Sequence, residues 1–188
     1  MSADVRAPTV RPAAAATRWV VPALLRGTLW VLLGGWIGSW LLFALVVAPT
    51  AFRVLPAPGA AGALVAPVLD ALHLYGVFAG LCLAALAIAL RRGALRVAIP
   101  LSMAAACLYS QFGVSAELAE IRHLVFGPEG SEAMAARFNE LHRLSMTLYS
   151  VVLVAALGLA GLHAARDVEE TGARQAGSRG GPERLLQS

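Results

Sequence analysis

Phe138, His142, Ser145 and Tyr149 follow one another at steps of four, three and four residues. On a helix this puts an aromatic ring, an imidazole, a hydroxyl and a phenol on one stripe. Such a stripe at the head of an apolar run is expected to point into the protein, because a polar or ionisable group facing lipid is costly. Imidazole suits haem iron and copper, and His73 heads another apolar run, so His142 and His73 are the candidates for a cofactor-binding or metal site holding haem or copper. No Cys-x-x-Cys-His motif, Met-rich tract or second histidine at i+4 accompanies them. The plainer reading gives each histidine a hydrogen bond to a loop carbonyl or a glutamate, for His142 near Pro49 or Thr50. His142 also stands at i−3 to Ser145, within reach to activate a nucleophile. Without a nucleophile elbow or an orienting carboxylate the pair is not read as an enzyme's, and no catalytic residue is assigned.

The composition says where these residues must sit. Of 188 residues 59% are hydrophobic and 14% charged, and the mean hydropathy is +0.71, which excludes an ordinary water-soluble domain. The expected fold is an all-α, antiparallel four-helix membrane bundle. Charged residues punctuate the apolar runs and place the helices at about 29–48, 71–90, 97–116 and 144–165. The third is expected to extend outward through Leu118, Ile121 and Leu124. Residues 1–27 read as a disordered or interfacial tail, 28–165 as the transmembrane domain and 166–188 as a disordered tail. A cleaved signal peptide is the competing reading of the first run, but Pro49 would follow the cut directly.

Every basic residue is arginine, and the net charge of +4 is spread over loops and ends, so nucleic acid is not an expected partner. The tails and the Arg91-Arg92-Gly93 turn carry most of the arginines, which predicts that both termini are cytoplasmic. The expected location is a membrane, crossed several times, taken as a bacterial inner (cytoplasmic) one. The lipid bilayer is the expected partner. Four short helices leave little room for a pore, so transport would require a homo-oligomer. Cys82 and Cys107 fall in mid-run and read as small apolar residues. The pairs Gly34/Gly38 and Gly76/Gly80 have the spacing that lets helices approach closely, which turns Trp30 and Trp40 toward lipid or the interface. Pro49 is expected to end or kink the first helix and to direct Phe52 onto Phe138.

Several of these residues belong to a longer pattern. Trp36-x-Gly38, Val47-Ala48-Pro49-x-x-Phe52-x-x-Leu55-Pro56, Ala61-Gly62 and Arg137-Phe138-x-x-Leu141-His142-Arg143-x-Ser145-x-x-Leu148-Tyr149 together resemble the transmembrane protein 205-like family, whose bacterial members carry a domain of unknown function. The resemblance spans about residues 28–165 and reaches Pro49, Phe52, Phe138, His142 and Ser145 as motif positions. It implies a four-helix membrane protein of undefined biochemistry, with animal members associated with resistance to platinum drugs and a distant likeness to copper-resistance membrane proteins. The chain departs from the family pattern at Ser115 to Arg122, where a proline is more usual, and at Tyr149, where many members have asparagine.

Overall fold

The structure, a computed structural model, describes residues 12–126 and 131–179. Among them there is no strand, and four helical rods are each long and apolar enough to cross a membrane. The protein is a multi-pass membrane protein built as an all-α bundle.

The first rod runs through α1 (Pro12–Leu42), a π turn (Phe43–Val47) and α2 (Ala48–Val54). Pro49 does not end this helix. A proline removes one donor and crowds the carbonyl four residues back. The chain absorbs this by opening one turn, and the Ala48 N–H reaches Phe43 O, five residues back. The rod stops at Leu55, which precedes Pro56 and is extended at φ −83°, ψ 142°. The second rod, α3 (Pro58–Ala89), starts earlier than the expected 71, because Pro58 has the fixed φ that suits a first helical turn and Ala57 before it is extended. Asp70 therefore lies inside a helix rather than ahead of one.

Arg91 and Gly93 both take positive φ, 51° and 90°, and close the tight turn into the third rod. That rod comprises α4 (Ala94–Tyr109), a second π turn (Ser110–Ser115) and α5 (Ala116–Phe126). The fourth rod is α6 (Glu132–Arg179). Two expected tails are thus partly helical. Residues 12–27 and 166–179 continue the first and fourth rods, while residues 1–11, 127–130 and 180–188 lie outside the described residues.

The extensions are held by charge. Asp167 on α6 accepts from Arg92 Nη2 at 2.5 Å and from Trp30 Nε1 at 3.0 Å, and Glu170 accepts from Arg26. Arg96 donates to the Leu162 carbonyl from Nε and Nη2 at 3.0 and 2.8 Å. First rod, hairpin and fourth rod therefore meet at one end, here called the hairpin end. The opposite, loop end carries Leu55 and the head of α6.

The core packs Leu29, Leu33, Trp36, Trp40 and Phe43 against Leu83, Met103, Val152 and Leu159. Trp40 is buried at 1% exposure, against the expectation that it faces lipid, whereas Trp30 is 37% exposed. The glycines explain the difference. A Cβ at Gly76 would fall 2.7 Å from Cys107 Sγ, and one at Gly80 would fall 2.7 Å from the Pro100 carbonyl oxygen, so this pair is the close-packed seam of α3 with α4 and receives the Trp36 ring. Gly34 and Gly38 meet nothing within 4 Å, and the large rings fill the interior in their place.

Candidate functional site

The structure separates the residues of the expected stripe. Leu141, Ser145 and Tyr149 are buried on α6, while His142 is exposed and stacks its ring on Phe138, 6.2 Å between centroids and 7° between planes. His142 was expected to point inward. At about 100° per residue it sits at the shoulder of the stripe that Leu141, Ser145 and Tyr149 define, and there its side chain is left exposed. The Ser145 side chain is buried, whereas the imidazole is exposed. Phe138 packs on the cluster of Val114, Leu118 and Leu141, and Phe52 is 51% exposed and absent from that cluster.

His73 behaves differently. It is 2% exposed, its Nδ1 faces Gln111 Oε1 at 3.3 Å, and its ring meets the Trp40 edge at 6.2 Å and 62°. Gln111 sits in the second π turn, whose wider winding brings its amide to α3. Tyr149 stacks on Trp40 at 4.2 Å and 19°, and its Oη donates to the Trp40 carbonyl. His73 is therefore held within an aromatic column, and His142 lies on the outside of the bundle. The structure does not bring the two imidazoles into one site. Among the described residues no group of three His, Cys, Asp or Glu is clustered as a metal centre would need.

What the loop end does form is a groove between the third and fourth rods, with a volume of about 570 Å³. Sequence reasoning missed it, because its walls come from residues about thirty positions apart. Glu117 and Arg137 close its rim in a two-point ion pair, Nε to Oε1 at 2.7 Å and Nη2 to Oε2 at 3.0 Å, and Arg137 Nη1 adds Glu140 Oε2 at 3.0 Å. Arg143 stands beside this fork on the rim. Along the helices toward the hairpin end the lining becomes Tyr109, Gly113, Leu144 and Thr147, with the buried Val114 and Leu141 forming the floor between the rods. Tyr109 is eight residues before Glu117, so the groove descends about 12 Å along the helix axis.

The π turn shapes this wall. It lies at Ser110–Ser115, and Gly113 within it leaves the Tyr109 ring room that a Cβ would press at 3.3 Å. π turns are often found at functional positions in helices. A charged rim above an apolar floor can hold a molecule with a polar head and an apolar body. The missed signal in the sequence is the Glu117/Arg137/Glu140/Arg143 charge set combined with Gly113, but only the fold puts the five together. No protein-family model, curated protein or solved structure matches this chain.

Proposed function

We propose that this chain is a small membrane protein of the transmembrane protein 205-like type, seated in a bacterial inner membrane with both ends in the cytoplasm. Its activity is non-covalent binding: the groove beside the second π turn takes an amphiphile from the surrounding leaflet. The orientation is supported by arginine. Arg26, Arg91, Arg92, Arg96 and Arg166 all belong to the hairpin end, and basic residues resist translocation. The groove would then open at the outer leaflet. The bilayer is its source of ligand, and nucleic acid has no place in this reading. Any path across the membrane would be built between copies in a homo-oligomer, since the interior of one chain is filled by Trp36, Trp40 and their neighbours.

The observation that carries the reading is the graded lining of the groove, from the Arg137 ion pairs at the rim to Tyr109 and Leu144 below. A lipid analogue with a photoactivatable acyl chain, added to the protein in nanodiscs and mapped by peptide mass spectrometry, tests it. Labelling is expected to concentrate on Tyr109, Leu144 and Thr147 and to fall several-fold in Gly113→Leu or Thr147→Trp. Even labelling over the whole exposed apolar belt, including Val31 and Val154, overturns it. Phosphatase fused to the C-terminus and active outside the cytoplasm would reverse the orientation.

A further inference from the structure

Arg137 is fully engaged, donating from three nitrogens to Glu117 and Glu140. Both Glu117 oxygens are taken by the same guanidinium. Two charges on the rim are left with capacity. Arg143 has no carboxylate partner among the described residues, and Glu140 accepts from Arg137 through Oε2, leaving Oε1 outside the fork. Glu140 and Arg143 are three residues apart on α6, so their side chains are neighbours on one helix face. They do not pair with each other, because the Glu140 carboxylate is turned toward Arg137. Among the described residues the rim therefore presents a cation without a carboxylate partner next to a half-used anion. Its four charged residues, Glu117, Arg137, Glu140 and Arg143, carry no net formal charge.

We infer that the groove selects a phospholipid whose headgroup joins a phosphate to a primary amine through a short bridge, with the phosphate on Arg143 and the ammonium on Glu140. The inference rests on the proposed binding reading and names its ligand class. Guanidinium binds phosphate oxygens through paired N–H donors, and a primary ammonium gives N–H donors to a carboxylate. A headgroup with phosphate alone would satisfy Arg143 but bring a second negative charge to Glu140. A quaternary ammonium carries no N–H and would leave Glu140 Oε1 without a donor. The apolar lining, with Val114 and Leu141 buried and Tyr109 and Leu144 open at its sides, fits an acyl chain, which points to the membrane lipid rather than the soluble headgroup.

Native mass spectrometry of the purified full-length protein tests this, with dioleoyl phosphatidylethanolamine, phosphatidylcholine and phosphatidylglycerol added in separate runs and soluble glycerophosphoethanolamine in a fourth. The ethanolamine lipid is expected to be retained about fivefold over the other two, the scale of one ordinary hydrogen bond at an exposed carboxylate. Arg143→Gln with Glu140→Gln should bring it down to their level. Equal retention of all three lipids that falls in Gly113→Leu, or in Thr147→Trp from the opposite wall, overturns the headgroup inference and leaves the groove reading standing. Retention that no groove substitution changes ends both. Retention of the soluble headgroup as strong as that of its lipid assigns the site to a free phosphate amine and overturns the lipid inference.

Discussion

Asp167 ties three rods together, and its replacement by asparagine is the most informative perturbation of the fold. The substitution keeps the shape and one carbonyl acceptor while removing the charge. The Arg92 side chain is 1% exposed and would be left buried without its counter-ion, whereas Asp167 is 26% exposed and water already shares in its solvation. Breaking a fully buried pair costs about 3–5 kcal/mol, and an exposed one about 0–1 kcal/mol. The half-open geometry of this pair, together with the loss of Trp30 and Arg26 as partners of a carboxylate, places Asp167→Asn at about 2–3 kcal/mol. Replacing both members by apolar residues, as Arg92→Met with Asp167→Leu, removes the stranded charge and should return stability to within about 1 kcal/mol of the parent. Unfolding in mixed micelles, followed by tryptophan emission over an SDS titration, gives the free energies for the double-mutant cycle. A loss below about 0.5 kcal/mol in Asp167→Asn, or strict additivity of the Arg92 and Asp167 changes, would show that the network is a surface decoration and would refute the reasoning.

Other predictions follow from single contacts. Gly80→Ala should destabilise by about 1–3 kcal/mol, since its Cβ would meet the backbone carbonyl of Pro100, and cross-linking of cysteines placed along α3 and α4 would report the widened seam. Tyr149→Phe should cost about 1 kcal/mol in the same micelle assay through loss of the bond to the Trp40 carbonyl, and Tyr149→Asn should cost more because the ring stack on Trp40 goes too. With Cys82 and Cys107 replaced by alanine, His142→Cys should react quickly with a bulky membrane-impermeant maleimide and His73→Cys should stay unmodified; the reverse order would contradict the placement of both rings. Arg137→Gln should leave the unfolding midpoint in the same micelle assay unchanged, because its ion pairs are exposed, and a clear loss would give the rim a role in folding.

The four spans were legible because hydropathy accumulates over some twenty residues and tolerates local error. Their ends were not. Charged residues were read as boundaries, yet Arg26, Asp70 and Asp167 lie within helices, the first and last because a partner on another rod neutralises them. The pairing of Arg92 with Asp167 spans 75 positions and leaves no local trace. His142 was misplaced by a fraction of a turn. A four-residue stripe fixes a helix face only to within some tens of degrees, and the neighbouring helices decide which shoulder is covered. Trp40 was misjudged through the first glycine pair, since spacing alone does not tell which of two such pairs meets another helix. Of the candidate site, the motif end of α6 was legible and the groove was not, because its other wall depends on how the third helix is wound.

That winding can be treated as a matter of phase. Each residue of an α-helix advances the angular clock by about 100°, and a π turn behaves as one residue spliced into that clock. Everything beyond Ser115 therefore keeps time with an offset relative to α4. Glu117 faces Arg137 only because of the offset. Straightening the turn to plain α-helix with every residue kept would swing Glu117 by about 100° out of reach of Arg137, whereas removing one residue between Ser110 and Ser115 would take out the splice itself and leave Glu117 where it is. The third helix can thus lose its register at the loop end while its seam with α3, set below the splice at Pro100, Ala104 and Cys107, stays in step.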